Sequence, residues 1–533
     1  MADAAANKKA ARKKSASKKA AQKKAVQRKA SASKKTARKK ASRKAATQRF
    51  DVLVVGAGFS GVNAGICLKQ RGIENFAILE RAGDVGGTWR DNTYPGCACD
   101  VPSHLYSYSF EQNPNWTRSY SGYAEIHQYI RDTAQKYGLR PHLRFGVSIE
   151  KAEFDEQAGE WTLYAEGGDR YIARAVVSAV GGLVDPSWPQ FDGMDQFKGD
   201  IFHTARWNHD VDLTGKTVAI VGTGASAIQV VPSIADKVGE LNVIQRTPPW
   251  VLPKPDTPIG GWMKSLFRKF PVAQKVFRNA ILALSEGVFG PLVILDTPLD
   301  KGLQKIAKFN IDRNVKDKTL REKVTPDYDI GCKRVLFSSD YYPALNKDNV
   351  NVLTEGVKGL SEKGLILSDG SELEADVVVM ATGFKINISE PPFEIVGLNQ
   401  QRIKDLWSGA GGKAYKGMAS YGVPNWFFML GPNTGPGHTS VLIYTEAQAK
   451  YITQAIQEIL SKNLKYLTVK KSVLDSYHKK LQQRMQYTSW TSGCQSWYLD
   501  EYGENHTLFP GLATEYALSA RQFDVDEYDT EAA

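Results

Sequence analysis

The chain has 533 residues, 42% of them hydrophobic and 10% aromatic, which suits several buried cores and excludes a chain disordered throughout. Its net charge of +12 is unevenly placed: residues 1–49 hold 19 Lys/Arg and one acid, Asp3, leaving 50 bases against 56 acids in the rest. Five cysteines (Cys67, Cys97, Cys99, Cys332 and Cys494) are too few and too scattered for a disulfide framework or a zinc site, no other metal is implied, and a reducing, cytoplasmic compartment is expected.

Up to about Gln48 the sequence is almost entirely Ala, Lys, Arg, Ser and Gln, and Val26 is its only large aliphatic residue after Met1. Such a stretch cannot bury enough surface to offset its ordering entropy, so a disordered tail is expected. A nucleic acid or another polyanion would relieve its charge repulsion and release counterions. No aromatics are interleaved for base stacking. A solvated tail with no partner and a transit peptide are the alternatives. A signal peptide is excluded by the missing apolar core.

At Phe50 the composition changes to RFDVLVVGAGFSG, an apolar strand pattern running into a glycine turn. Gly56, Gly58 and Gly61 form GxGxxG, a helical pattern follows, and the next apolar run ends in Glu80, 19 residues past the third glycine. That is a βαβ unit with an acid placed for a ribose, its glycines allowing a tight turn, close approach of a pyrophosphate, and close helix packing. Ser60 sits within the turn.

The arrangement recurs 166 residues later, with Gly222, Gly224 and Ala227 in the glycine positions and Arg246 where the first unit has Glu80. A carboxylate accepts ribose hydroxyls and repels a 2′-phosphate, whereas a guanidinium pairs with one. The first unit should therefore hold FAD and the second NADPH. Thr223, Ala225, Ser226, Gln229 and Thr247 fall within or beside the second loop.

Residues 159–182 and 364–384 each read as a hairpin followed by an apolar strand, Ser368-Asp369-Gly370-Ser371 supplying one turn. Residues 250–325 read as a helical elaboration. Within it, 280–295 is interrupted by Glu286, Gly287 and Pro291 and falls short of a transmembrane span, leaving a buried or surface-docking helix pair.

This layout resembles the two-dinucleotide-binding flavoproteins. The expected class is α/β, with two Rossmann-like units, the second inserted in the first. The expected plan is a tail over 1–49, an FAD domain over 50–182, an NADP domain over 183–380, and a return to the FAD domain over 381–533. In flavin disulfide reductases of similar layout a cysteine pair follows the GGT segment. Here Trp89 and Tyr94 stand in those places, so dithiol chemistry is absent.

The same segment matches GxWxxxx[FY]P[GM]xxxD through Gly87, Trp89, Tyr94, Pro95, Gly96 and Asp100. A second pattern, FxGxxxHTxxW[PD], is matched by Phe197, Gly199, His203, Thr204 and Trp207, with Asn208 departing at the last place. On these residues the chain resembles the Baeyer–Villiger monooxygenases. GCKR at 331–334, GPNTGPGHTS at 431–440 and GCQSWYLD at 493–500 add to the likeness. The related N- and S-oxidising flavin monooxygenases are the alternative.

The resemblance implies a reaction with NADPH, FAD and O2 in which a flavin C4a-peroxide converts a ketone to an ester or lactone. It implies that Arg334 stabilises anionic oxygen, that Asp100 orients it, and that Lys333 joins Arg246 and Thr247 at the NADP 2′-phosphate. It places Thr88, Trp89, Tyr106 and Ile149 on the FAD side, and makes His203 a coupling residue between domains. Trp497 and Tyr498 either line the substrate or belong to the core.

Overall fold

In a computed structural model of the chain, residues 45–296, 300–386, 391–408, 411–491, 493, 498–499 and 503–533 are described. The basic tail up to residue 44, Cys494, Trp497 and Asp500 lie outside them.

The apolar run after Phe50 becomes the strand Thr47–Val55, whose last four residues are buried, as a strand covered on both faces requires. It pairs in parallel with Phe76–Glu80 on one side and with Arg170–Ser178 on the other. The crossover helix, Phe59–Gln70, is buried over its first ten residues because the long helix Val441–Ser461 covers it, and the Asn63 amide donates to the Thr445 carbonyl at 3.0 Å. Beyond Arg170–Ser178 the sheet continues antiparallel through Glu160–Ala165 and Ile149–Asp155. Late in the chain, Trp426–Phe428 joins Arg170–Ser178 in parallel, so the polypeptide re-enters this sheet after building the other.

The second sheet is parallel throughout, in the order Val350–Leu353, Glu240–Ile244, Thr217–Val221, Val377–Met380, Asp200–His203. The two passages of chain between the sheets lie side by side: Leu183–Pro186 pairs antiparallel with Phe384–Ile386.

The elaboration differs from expectation. Helices Pro271–Leu284 and Gly290–Ile294 do not separate, because a π-helical stretch, Ser285–Phe289, carries the helix through Glu286 and Gly287. The continuous helix Pro271–Ile294, 24 residues, is by length and composition long and apolar enough to cross a membrane. Cysteine chemistry differs too: Cys67, Cys97 and Cys99 are buried free thiols, but Cys332 is disulfide-bonded, which a reducing compartment does not predict.

Candidate active site

The first glycine loop is closed by sterics. Gly56 has φ +104°, and a Cβ there would lie 2.4 Å from the Ala179 carbonyl oxygen; one on Gly61 would lie 1.8 Å from the Gly56 oxygen. Only bare Cα atoms let strand, loop and helix approach this closely. Gly58, at the N-cap of the helix, faces Gly87 across a narrow gap: a Cβ on Gly87 would sit 3.2 Å from the Gly58 Cα. Ser60 is buried in the first helical turn, and Thr88 is exposed at the start of the short helix Thr88–Asp91.

Glu80 is buried at the end of its strand, where its carboxylate accepts from Ala57 N at 2.9 Å, Ala82 N at 2.9 Å and Arg90 Nη1 at 3.1 Å. Those bonds fix it against the loop and leave lone-pair capacity for a hydroxyl. The donor set and the bare cradle suit a dinucleotide with an unmodified ribose. Trp89 Nε1 donates to the Tyr106 hydroxyl at 3.1 Å, and Tyr106 packs edge-on to Phe59. Ile149 begins the strand Ile149–Asp155 and is buried in the same core as Leu53, Val55 and Leu79, two residues after Val147, whose N–H donates to the Glu80 carbonyl at 3.0 Å.

The second loop is open. Gly222 has φ +110° and packs against Ala381, but a Cβ on Gly224 would meet nothing within 4 Å. Gly224 and Ala225 are exposed, Ser226 caps the helix Ala227–Ile234, and Ala227 is fully buried. The Thr223 hydroxyl donates to the Thr247 carbonyl at 3.1 Å, tying the loop to the turn after Glu240–Ile244. Arg246 is exposed on that turn. Lys333 Nζ stands 4.7 Å above the Tyr328 ring, and its pKa is lowered by burial and by the nearby Arg246. Among the described residues neither cation has a carboxylate within ion-pair distance, although the Asp327 charge reaches Lys333 from farther off, and two neighbouring cations suit a phosphate.

Between the loops, Arg334 Nη2 donates to Asp100 Oδ2 at 2.6 Å, across 234 residues of sequence. The side chains remain 40% and 26% exposed, so solvent reaches the pair. Burial opposes the Asp100 charge, yet the guanidinium overrides it and holds the carboxyl below its usual range. Asp100 in turn raises the Arg334 pKa above its already high value, despite partial desolvation. Arg334 is a permanent cation with its orientation fixed. Burial lifts the nearby Tyr498 phenol to about 12 while the Arg334 charge pulls the other way.

Gln229 unites the two halves. Its amide oxygen accepts from Ala98 N at 3.0 Å and its amide nitrogen donates to Ala98 O at 3.1 Å, pinning the segment that leads into Asp100. Gly96 makes this possible, since a Cβ there would lie 2.5 Å from the Gln229 carbonyl oxygen. Nothing local in the sequence announces this bridge, because it depends on packing between elements 131 residues apart. Lys254 also escapes sequence reasoning: its Nζ stands 5.1 Å over the Tyr120 ring, burial lowers its pKa, and the carboxylates of Asp256 and Asp100 oppose that shift.

His203 ends Asp200–His203, fully buried, and Ala205 N donates to its Nδ1 at 3.0 Å. Trp188 and Phe384 flank its ring, so it touches both passages of chain between the sheets. It lies at the crossing, at the same end of the second sheet as the second loop, since His203 pairs with Met380 and Met380 with Val221. Among the described residues no cluster of His, Cys, Asp or Glu suits a metal ion.

Comparison with known proteins agrees with this geometry. The flavin-binding monooxygenase-like family matches residues 49–260. A Baeyer-Villiger monooxygenase of Pseudomonas aeruginosa is 43% identical over 484 residues, covering 90% of each chain. The chain belongs to the Baeyer–Villiger monooxygenase family. A second relative of that name, from Streptomyces coelicolor, is 43% identical over 480 residues, covering 90% of this chain and 92% of the relative. An oxidized steroid monooxygenase bound to NADP shares the fold with a TM-score of 0.81 and 28% identity, over 91% of this chain and all of that one. As a Baeyer–Villiger monooxygenase the chain is an FAD- and NADPH-dependent enzyme that inserts one oxygen atom from O2 beside a ketone carbonyl.

Proposed function

We propose that oxygen insertion takes place in the cleft walled by Asp100 and Arg334, with the two glycine loops holding the cofactors on either side. Bound FAD supplies the redox chemistry, accepting hydride from NADPH and activating O2. Arg334 supplies what an anionic oxygen in a partly dry site needs, a cation that cannot be neutralised. Asp100 keeps the guanidinium aimed into the cleft. Gln229 and Gly96 hold the Asp100 segment in register with the second loop. Glu80 receives a ribose hydroxyl, while Arg246 and Lys333 receive the 2′-phosphate. His203 is a positioning residue at the crossing between the sheets.

The observation that supports this reading is the 2.6 Å Arg334–Asp100 pair, on a segment that Gln229 ties to the helix after the second loop. Arg334→Ala should leave flavin reduction by NADPH near the parental rate, while ester formation from a ketone falls about 100- to 1,000-fold, the cost of one lost oxyanion donor. Stopped-flow reduction and mass-spectrometric product assay read the two steps separately. Ester formed at a normal rate would remove Arg334 from the chemistry. Oxidation of thioethers or amines with no ester from any ketone would favour heteroatom oxidation instead.

The charge of residues 1–49 supports salt-sensitive attachment to a polyanion such as nucleic acid. A gel shift lost at high salt, and lost when the tail lysines are replaced by glutamine, is the expected result.

A further inference from the structure

The helix Pro271–Ile294 is amphipathic in the wrong sense for a protein surface in water. Over residues 271–288 the buried side chains are polar, Gln274, Arg278 and, in the π-helical stretch, Glu286, and only the last turn buries apolar ones, Val293 and Ile294. The Gln274 amide donates to the Asn113 carbonyl at 2.7 Å, and Arg278 donates to the carbonyls of His104 at 3.1 Å and Leu105 at 2.9 Å. Glu286 accepts from His438 at 2.7 Å and from the Thr514 hydroxyl at 2.7 Å. Its outward face is apolar, a ridge of Val272, Val276, Leu284 and Val288, each more than half exposed. The preceding helix, Gly261–Lys269, extends the ridge with Trp262, 73% exposed, and Phe270 at its end. A soluble helix buries such a stripe and shows its charges to solvent. Contiguous apolar exposure of this kind marks an interaction surface.

We propose that this ridge docks the enzyme onto the surface of an anionic lipid bilayer, lying in the interface rather than crossing it. At about 1.5 Å per residue the helix is long enough to span. Crossing would tear Gln274, Arg278 and Glu286 from their partners and strand them in hydrocarbon. Lying flat leaves those bonds intact and buries only the ridge.

Charge selects the occupant. From Thr257 to Ser285 there is no acid, while Lys264, Arg268, Lys269 and Lys275 surround the ridge. Apolar residues with an exposed Trp, rimmed by Lys and Arg, form the pattern that inserts among acyl chains and pairs with anionic headgroups. A second copy fits less well, because a two-fold contact would set the same four cations against each other.

The test is cosedimentation of the full-length, FAD-loaded enzyme with vesicles of phosphatidylcholine, alone or with about one third phosphatidylserine. It is run at low salt and at about 0.5 M salt, where attraction of the tail is screened. The expected result is binding to the anionic vesicles that persists in part at high salt, with a blue shift in the Trp262 emission obtained by subtracting the Trp262→Phe spectrum. The triple variant Val272→Asp, Val276→Asp, Leu284→Asp should lower partitioning at least about tenfold while keeping its flavin absorbance. The single Trp262→Ser variant should lower it in the same direction. Equal partitioning of parent and variants would assign binding to the tail and overturn the proposal. So would absence of partitioning, or a parental dimer that the triple variant converts to monomer without any vesicle binding.

Discussion

The two glycine loops share one spacing and differ in everything that follows from contact. In the first, Gly61 is pressed onto Gly56 so tightly that one methyl group would lie 1.8 Å from an oxygen, and Glu80 is buried with three donors around it. In the second, a methyl group already stands at the third position as Ala227, Gly224 faces open space, and Arg246 is exposed. A closed cradle with one free acceptor suits a tightly held cofactor, and an open one with exposed cations suits a cofactor that exchanges. The motif sets the turn in both, while the neighbours of each glycine set how closed it is.

The hardest way to break this comparison is a single methyl group placed in each loop. Gly61→Ala should forfeit FAD retention, seen as loss of flavin absorbance after desalting, because the Gly56 carbonyl backs the clash and cannot move aside. Gly224→Ala should fold, keep its flavin and raise only the KM for NADPH. Equal flavin loss in both variants would show that the loops are not different in kind.

A smaller effect sharpens the charge difference. Arg246→Ala should raise the KM for NADPH about tenfold or more with little change for NADH, since a charge-assisted bond to the 2′-phosphate contributes about 1.5–3 kcal/mol. Lys333→Ala should act in the same direction. An equal rise for both nucleotides would place these cations away from the 2′-phosphate.

An effect on stability rather than on cofactor binding concerns the crossing between the two sheets. Burial pushes the His203 pKa down to about 4 from 6.5, opposed only in part by the Gly383 carbonyl. The unfolded chain thus binds a proton that the folded chain refuses between those values. Stability attributable to this group is complete above about pH 6.5 and is lost as pH falls toward 4, up to about 3 kcal/mol. His203→Asn should therefore flatten part of the decline in Tm between pH 7 and pH 5, as read by calorimetry. An unchanged slope would mean that His203 is hydrated in the native protein. Buried His104, also pushed down to about 4, supplies an internal control for the slope that remains.

Much of the site was legible in the chain because backbone sterics are local. A strand, a glycine turn and a helix need residues within a few positions of one another, so GxGxxG with Glu80 or Arg246 at the next strand end announces its own geometry. The GCKR and GxWxxxx[FY]P[GM]xxxD segments implied, through the family likeness, that Asp100 orients Arg334, and the two side chains do stand 2.6 Å apart. Gln229 shows the limit from the other side: its place beside the second loop did not announce its bonds to Ala98. The helix over 271–294 misled for a related reason. Gly287 and Pro291 are helix-weakening by themselves and Glu286 breaks the apolar run, yet a π-helical stretch and the bonds from Glu286 to His438 and Thr514 keep the helix continuous.

Sequence alone determined the two nucleotide loops, their opposite charges and the family, because each rests on residues adjacent in the chain and on side-chain chemistry that does not depend on surroundings. Tertiary structure decided how closed each loop is, that Gln229 locks the Asp100 segment, and that a helix turns its polar face inward and its valines to the outside. Those outcomes depend on distances between elements more than a hundred residues apart, which the packing of whole sheets and helices sets and no local pattern encodes.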